Sequence, residues 1–188
     1  VDLSKATGTL VLTDVYVGRN MSGVKPASIK KLLIMEELPK PVNFHGGGTT
    51  PLAHGGSWMF KRILGTVPVE PDGSANFEIP ACRSIYFVAL DENDIAVKRM
   101  QSFTSLQPGE VQSCVGCHEH RSQTPRAEFH ETLALRQSAA RIEPIHDVPQ
   151  VFDFPRDVQP VLNALCTDCH GYEKTARGGP RAGRLVLT

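Results

Sequence analysis

Short segments in which apolar and polar side chains alternate run through the first half of the chain, and they predict β-strands. Such alternation places the apolar side chains on one face of each strand. Turn residues separate the segments at spacings of about ten residues, which is typical of a small β-sandwich. We predict strands over residues 8–17, 29–38, 62–69, 75–79, 84–90 and 95–100.

Proline and turn residues refine this prediction. The pattern of residues 29–38 fits a helix or a strand, but Pro26 and Pro39 leave the segment short, which favours a strand. Pro68 indicates that its strand lies at a sheet edge or carries a bulge, because proline cannot donate a backbone hydrogen bond. The Pro71-Asp72-Gly73 turn and the polar run 91–94 each predict a hairpin between their flanking strands.

The second half of the chain has a helical pattern. Residues 127–140 have apolar side chains at helical spacing. Residues 153–165 predict a helix with Asp153 as N-cap and Pro155 in the first turn. The predicted fold class is therefore mixed but mainly β, with a small N-terminal β-sandwich followed by a mostly helical region.

Composition and charge exclude several classes of function. The chain has 188 residues, 40% of them hydrophobic and 21% charged, which is ordinary for a globular protein. Its formal net charge of zero gives no broad basic face for nucleic acid or anionic lipid. The sequence has no run of 18 apolar residues, so no membrane span is predicted.

The main chemical signal is a C-x-x-C-H sequence that occurs twice, as motif 1 (residues 114–118) and motif 2 (residues 166–170). This is the signature of covalent haem c attachment, in which two thiols bond one edge of the porphyrin and the adjacent histidine binds the iron. We therefore predict two covalent haem c groups. The predicted attachment residues and proximal iron ligands are Cys114, Cys117, His118, Cys166, Cys169 and His170. An alternative is a structural zinc site formed by the four motif cysteines.

The sixth iron ligand decides between electron transfer and chemistry on a substrate. His130 and His146 are candidate distal ligands. Met21 and Met100 are also candidates, although a thioether in the core is the simpler interpretation of both. No Met or His follows His170, so a sixth ligand for the second iron has to come from upstream or from another chain.

The motifs divide the chain into three predicted parts: a β-sandwich scaffold over 1–110, a first haem-binding segment with linker over 111–150, and a second, cytochrome c-like segment over 151–188.

Four of five cysteines are assigned to haem, which leaves Cys82 as a small buried side chain or a metal ligand. Haem c is attached outside the cytoplasm. We therefore expect a periplasm-like compartment and a chain whose export signal was removed, or a fragment of a larger exported protein.

Several segments resemble the middle domain of the hydrazine synthase alpha subunit and the cytochrome c segment that follows it in exported cytochromes of planctomycete-type bacteria. These segments are residues 62–75, 88–91, 107–110, 113–119 and 154–171. The resemblance implies that motif 1 corresponds to a catalytic haem and that the other haem relays electrons. In the family the histidine of the first motif turns to a zinc ion, and a tyrosine just beyond the motif holds the iron.

The sequence departs from the family at that tyrosine. Residues 119–153 contain no Tyr, and Ser122 stands where the tyrosine is expected. The resemblance also leaves open a zinc site formed by Cys82, His118 and His120, in addition to the two haem groups.

Together these patterns predict a dihaem cytochrome c that performs one-electron transfer between redox partner proteins. The alternative is a haem oxidoreductase, similar to hydrazine synthase, that acts on small nitrogen species at the first haem. Other domains or subunits of a larger cytochrome complex are expected partners.

Overall fold

The computed structural model describes residues 1–18, 21–39, 60–100, 102–117, 132–178 and 182–188. The chain divides into two compact units, Val1–Asp147 and Val148–Thr188. The first unit consists mainly of β-strands and contains motif 1, whereas the second contains short helices and motif 2. In the described part of the chain, no helix is both long and apolar enough to cross a membrane.

Seven strands are present in the described part of the first unit, and they form two sheets. Their bounds are β1 Thr7–Leu12, β2 Lys31–Glu37, β3 Lys61–Pro68, β4 Ala75–Pro80, β5 Ile85–Leu90, β6 Ala96–Arg99 and β7 Val111–Cys114. The three-stranded sheet has the order β4-β1-β7, and the four-stranded sheet has the order β3-β2-β5-β6. All neighbouring strands are antiparallel except β1 and β7, which are parallel.

The two sheets pack face to face around one apolar core, as the sequence predicted for a sandwich. Alternate residues of β1 and β2 are buried, because the pleat points every second side chain inward. Phe77 of β4 and Phe87 of β5 meet edge to face, with ring centroids 5.6 Å apart. The largest fully buried side chains are Phe77, Leu10, Ile29, Leu32, Ile34, Ile79, Ile85 and Leu106.

One predicted hairpin is confirmed and the other is wrong. β5 and β6 pair as predicted. β3 and β4 follow the Pro-Asp-Gly turn, but β3 pairs with β2 and β4 pairs with β1, so this turn carries the chain from one sheet to the other. The turn sequence fixes where the chain reverses but does not determine which strand becomes the hydrogen-bonding neighbour. Pro68 does lie at the end of an edge strand, β3, as predicted.

The prediction of a mostly helical haem-binding region is wrong for the described part of the first unit. Within the predicted helix over residues 127–140, only Leu133–Arg136 forms a 3-10 turn, and residues 127–131 lie outside the described residues. Residues 132–143, here called the strap, instead form backbone hydrogen bonds to side chains and strand edges of the sandwich. The amides of Leu133 and Ala134 donate to the side chains of Asp72 and Ser74.

The strap then bridges the two edge strands on one side of the sandwich. The Ala140 amide donates to the backbone oxygen of Asn76 in β4 (2.8 Å). The backbones of Thr66 in β3 and Glu143 exchange two hydrogen bonds (both 2.9 Å). These contacts satisfy backbone groups that an open sheet edge would expose to other chains. One side of the sandwich is therefore closed, while β6 and β7 form the sheet edges at the other side.

The predicted helix over residues 153–165 is confirmed, although its first turn is wider than an α-helix. Asp153 caps it by accepting a hydrogen bond from the Arg156 amide (3.0 Å). A π-helical turn, Phe154–Val158, leads into helix α1, Gln159–Leu165. Cys166 separates α1 from helix α2, Thr167–His170. The individual helix is therefore predicted correctly, but a mostly helical haem-binding region is not evident in the described part of the second unit either.

Candidate haem-attachment sites

Motif 1 is held by a parallel pairing between the end of β7 and the chain that leaves β1. Cys114 is opposite Leu12 in the sheet. Beyond it, the Thr13 amide donates to Cys114 O (2.9 Å), and the Cys117 amide donates to Val17 O (2.7 Å). The backbone on both sides of the two cysteines is therefore fixed by hydrogen bonds to a single neighbouring segment.

Gly116 makes this close approach feasible. A Cβ atom at this position would lie 2.0 Å from Val17 O and 2.8 Å from Val17 Cβ. Backbone atoms that are themselves hydrogen-bonded cannot easily move away, so a side chain would displace the motif. Within motif 1, the glycine thus has a packing role that a C-x-x-C-H pattern alone does not reveal.

Cys114 and Cys117 line one small apolar cavity between the sheets. The cavity measures about 40 Å³, and its other walls include Leu12, Phe87 and Met100. This volume is suited to a water molecule rather than a porphyrin, so a ring bonded to both thiols would lie at the cavity and not inside it. Paired thiols beside apolar side chains fit the attachment chemistry of haem c.

The surroundings of Cys117 alter its acidity. Burial among apolar side chains raises the pKa of the Cys117 thiol to about 11, and the neighbouring Cys114 and Asp14 add to the effect. The thiol therefore stays protonated at neutral pH. This state suppresses reactions of the thiolate in the folded, haem-free chain.

This pKa predicts slow alkylation of Cys117 in haem-free protein. At pH 8 about one thousandth of the Cys117 thiol is ionised, so iodoacetamide should modify it far more slowly than the exposed Cys82. The Cys117 rate should rise about tenfold per pH unit up to about pH 11. Peptide mass spectrometry at pH 8, 9 and 10 measures both rates, and equal rates at pH 8 would contradict the assigned environment.

Motif 2 forms one helical turn. The amides of Cys169 and His170 both donate to Cys166 O, at 3.1 and 2.9 Å. Thr167 anchors the turn to α1 by donating its hydroxyl to Asn163 O (2.9 Å). This arrangement brings the two thiols and the imidazole together within a single rigid segment.

The imidazole of His170 is oriented by a backbone carbonyl. Its Nδ1 lies 2.8 Å from Ala182 O. A carbonyl oxygen only accepts hydrogen bonds, so Nδ1 carries the proton and Nε2 keeps the lone pair that could bind iron. No local sequence pattern indicates Ala182, because the contact depends on how residues 182–188 fold back. That return is held by the Leu187 amide, which donates to His170 O (2.8 Å).

The second unit lacks an apolar core of its own. Among its described residues, only Gly171 is buried. Large apolar side chains stay exposed, with Leu165 at 74% of its accessible surface. The others are Val148, Phe152, Phe154, Val161, Tyr172 and Leu185. A unit of this size cannot be stable without burying apolar surface, so these side chains fit the presence of an apolar prosthetic group bonded at motif 2.

The remaining predicted ligands are only partly visible. His118, His120 and His130 lie outside the described residues. His146 is exposed in the chain segment that follows the strap. Cys82 is exposed in the turn after β4, where its φ of 58° and a hydrogen bond to Leu106 O (2.7 Å) fix the backbone. Its predicted burial is therefore wrong.

Among the residues that the structure describes, no group of three or more His, Cys, Asp or Glu side chains could hold a metal ion. The predicted zinc site of Cys82, His118 and His120 includes two residues outside that set, so it stays a prediction. The same applies to His130 as a distal iron ligand.

Comparison with known proteins finds one family model and a similar solved structure. Residues 27–119 match the family model of the hydrazine synthase alpha subunit middle domain. No curated protein matches the chain. Among solved structures, a chain of the Kuenenia stuttgartiensis hydrazine synthase superimposes with a TM-score of 0.71 at 20% sequence identity, over 94% of this chain and 30% of that chain.

The family match ends at Glu119, immediately after motif 1, and does not reach motif 2. The structural similarity covers 94% of the chain, but at 20% identity it speaks for the fold alone. Residues 27–119 are thus similar to the hydrazine synthase alpha middle domain, and nearly the whole chain has the fold of a part, about a third, of the Kuenenia enzyme chain.

Proposed function

We propose that this chain is the dihaem part of an oxidoreductase similar to hydrazine synthase, with one haem c bonded at each motif. The observation that carries the proposal is the geometry of motif 2. Two thiols and an imidazole share one helical turn, and the Ala182 carbonyl fixes the Nδ1–H tautomer of His170. A zinc or redox-disulfide role for the C-x-x-C pair would not require the adjacent histidine to be oriented in this way.

Bound haem c would supply one-electron chemistry at its iron. The chain's own residues have distinct tasks in this proposal. Cys166 and Cys169 fix the group covalently, and His170 is the proximal ligand. At motif 1, Cys114 and Cys117 provide the attachment. Apolar side chains beside Cys117 limit access of water, which favours the reduced state of a charged iron centre.

Two functions remain for this arrangement. The family match over 27–119, which includes motif 1, favours an oxidoreductase that acts on small nitrogen species there. The absence of Tyr from residues 119–153 favours a plain electron carrier, because the family enzyme uses a tyrosine at its catalytic iron. We give preference to the oxidoreductase, since the family match over residues 27–119 includes motif 1.

The proposal includes partners and a compartment. The chain spans 30% of the Kuenenia chain that it resembles, and we propose that further domains or subunits complete the redox protein. Redox partner proteins would supply or remove the electrons. Because haem c is attached outside the cytoplasm, the proposed location is the periplasm or an equivalent compartment.

Spectroscopy of the purified protein tests the proposed function. We expect two covalent haems per chain in the pyridine haemochrome assay. We also expect one high-spin iron, seen by electron paramagnetic resonance, that binds carbon monoxide when reduced. Two low-spin irons that do not bind carbon monoxide would instead support the function of an electron carrier. A chain matured in a host that attaches haem c, yet without bound haem, would refute both functions.

A further inference from the structure

The side of the sandwich that the strap leaves open carries a second small cavity. Its walls include Met21, Leu32, Phe87 and Met100, and Cys117 lines it as well. The two cavities share Leu32, Phe87, Met100 and Cys117, so both belong to the region beside motif 1. Almost all of this lining is apolar, with one clear exception on β6.

That exception is a pair of cations, Lys98 and Arg99, which the pairing of β6 with β5 places opposite different residues of β5. Lys98 is opposite Ala89, whose side chain belongs to the buried core between the sheets. Arg99 is opposite Val88, which belongs to a separate apolar cluster on the other face of the sheet. Both cations line the second cavity, and the pairing with Ala89 places Lys98 toward the inner face, whereas Arg99 is exposed to solvent.

Lys98 is half-buried and has no ion pair among the described residues. Other lysines of the same sheet are paired: Lys31 contacts Asp94 at 2.9 Å, and Lys61 contacts Glu37. A lysine on an apolar face normally needs a partner for its charge, because partial desolvation disfavours an isolated ammonium group. Among the described residues, the surroundings of Cys117 thus combine an apolar wall with a half-buried lysine that has no ion-pair partner.

This combination matches a ligand with an apolar ring and a carboxylate at its periphery. Haem c has that chemistry, since two propionates project from the ring that its thioethers anchor. We propose that Lys98 forms an ion pair with a propionate of the haem bonded at Cys114 and Cys117. The proposal rests on haem attachment at motif 1 and adds a binding residue outside both C-x-x-C-H motifs.

The ion pair predicts a change in reduction potential. Reduction adds one negative charge to the haem, and a nearby cation stabilises that state. The Lys98→Met variant keeps most of the apolar stem but removes the charge, so the midpoint potential of the first haem should fall. Lys98→Arg should restore it. Lys30→Met, which removes an exposed lysine that does not line either cavity, should leave the potential unchanged.

The experiment is a spectroelectrochemical titration of the full dihaem chain and the three variants. The step that disappears in Cys166→Ala/Cys169→Ala protein belongs to the second haem, and the other step is the one to follow. Resonance Raman spectra provide a second readout, because the propionate bending band of the first haem should shift in Lys98→Met and return in Lys98→Arg.

The outcomes separate this inference from the proposed function. Missing haem in the wild-type chain would refute the proposed function itself. Two bound haems with unchanged potential and Raman band in Lys98→Met would overturn the ion pair alone. An equal fall in potential in Lys30→Met would also overturn it, because the effect would then be a long-range one. If Lys98→Met fails to bind the first haem, Lys98→Gln replaces it as the neutral variant.

Discussion

Replacing Cys166 and Cys169 with alanine is expected to abolish the ordered structure of residues 148–188 and to halve the covalent haem of the chain. The second unit buries no apolar side chain among its described residues, and large apolar groups such as Leu165 stay exposed. Burial against an attached haem would supply the apolar contacts that the polypeptide lacks. Without the thioethers, no comparable apolar burial offsets the loss of conformational entropy when residues 148–188 become ordered.

Two measurements check this expectation. The pyridine haemochrome assay should fall from two haems to one, and hydrogen exchange in 148–188 should lose its protection while β1 to β5 keep theirs. Cys82→Ala is the matched control, because it removes an exposed cysteine outside both motifs and should leave both readouts unchanged. Protected amides throughout 148–188 in the double variant would show that haem is not the core of this unit.

Gly116→Ala should give the second large effect, this time at motif 1. The new Cβ would lie 2.0 Å from Val17 O, the acceptor of the Cys117 amide. Relieving the overlap requires the motif to move and that hydrogen bond to break. We expect a loss of about 3 kcal/mol in the free energy of unfolding and a marked fall in haem at motif 1, with haem at motif 2 retained.

Val115→Ala is the control within the same motif. Its side chain is 37% exposed, and the amide of Asp14 donates to its carbonyl, which the substitution leaves in place. Its cost should stay below about 1 kcal/mol. Urea unfolding of the haem-free proteins compares the two variants. Equal midpoints for Gly116→Ala and the wild type would mean that the backbone contact at Val17 is not tight.

The sequence predicted those parts of the fold that depend only on neighbouring residues. Alternation located six of the seven strands in the described part of the chain, although the predicted strand over 8–17 ends at Leu12 because the following backbone turns to hold motif 1. β7 was not predicted, because its four residues run into motif 1. Asp153 and Pro155 located the start of the C-terminal helix, because capping and proline effects act over a single turn. Both C-x-x-C-H motifs could be found for the same reason.

Long-range pairings were not predictable from these local patterns. The strap has apolar residues at helical spacing, but its amides find better acceptors in Asp72 and Ser74 than in its own carbonyls. The roles of Ala182 and Lys98 depend on which segments fold next to His170 and Cys117. The sequence immediately around Ala182 or Lys98 contains no pattern that predicts these neighbours.

The parallel pairing of β1 with β7 has a consequence for the order of events while the chain is synthesised and folds. β1 is the central strand of its sheet, and its two partners, β4 and β7, end at Pro80 and Cys114. The sheet is therefore complete only when motif 1 itself has emerged, and contacts of such sequence separation form late in folding. Before that moment the Cys117 thiol is not yet enclosed by the core, so in the haem attachment that we propose both thiols of motif 1 would be accessible on an open chain.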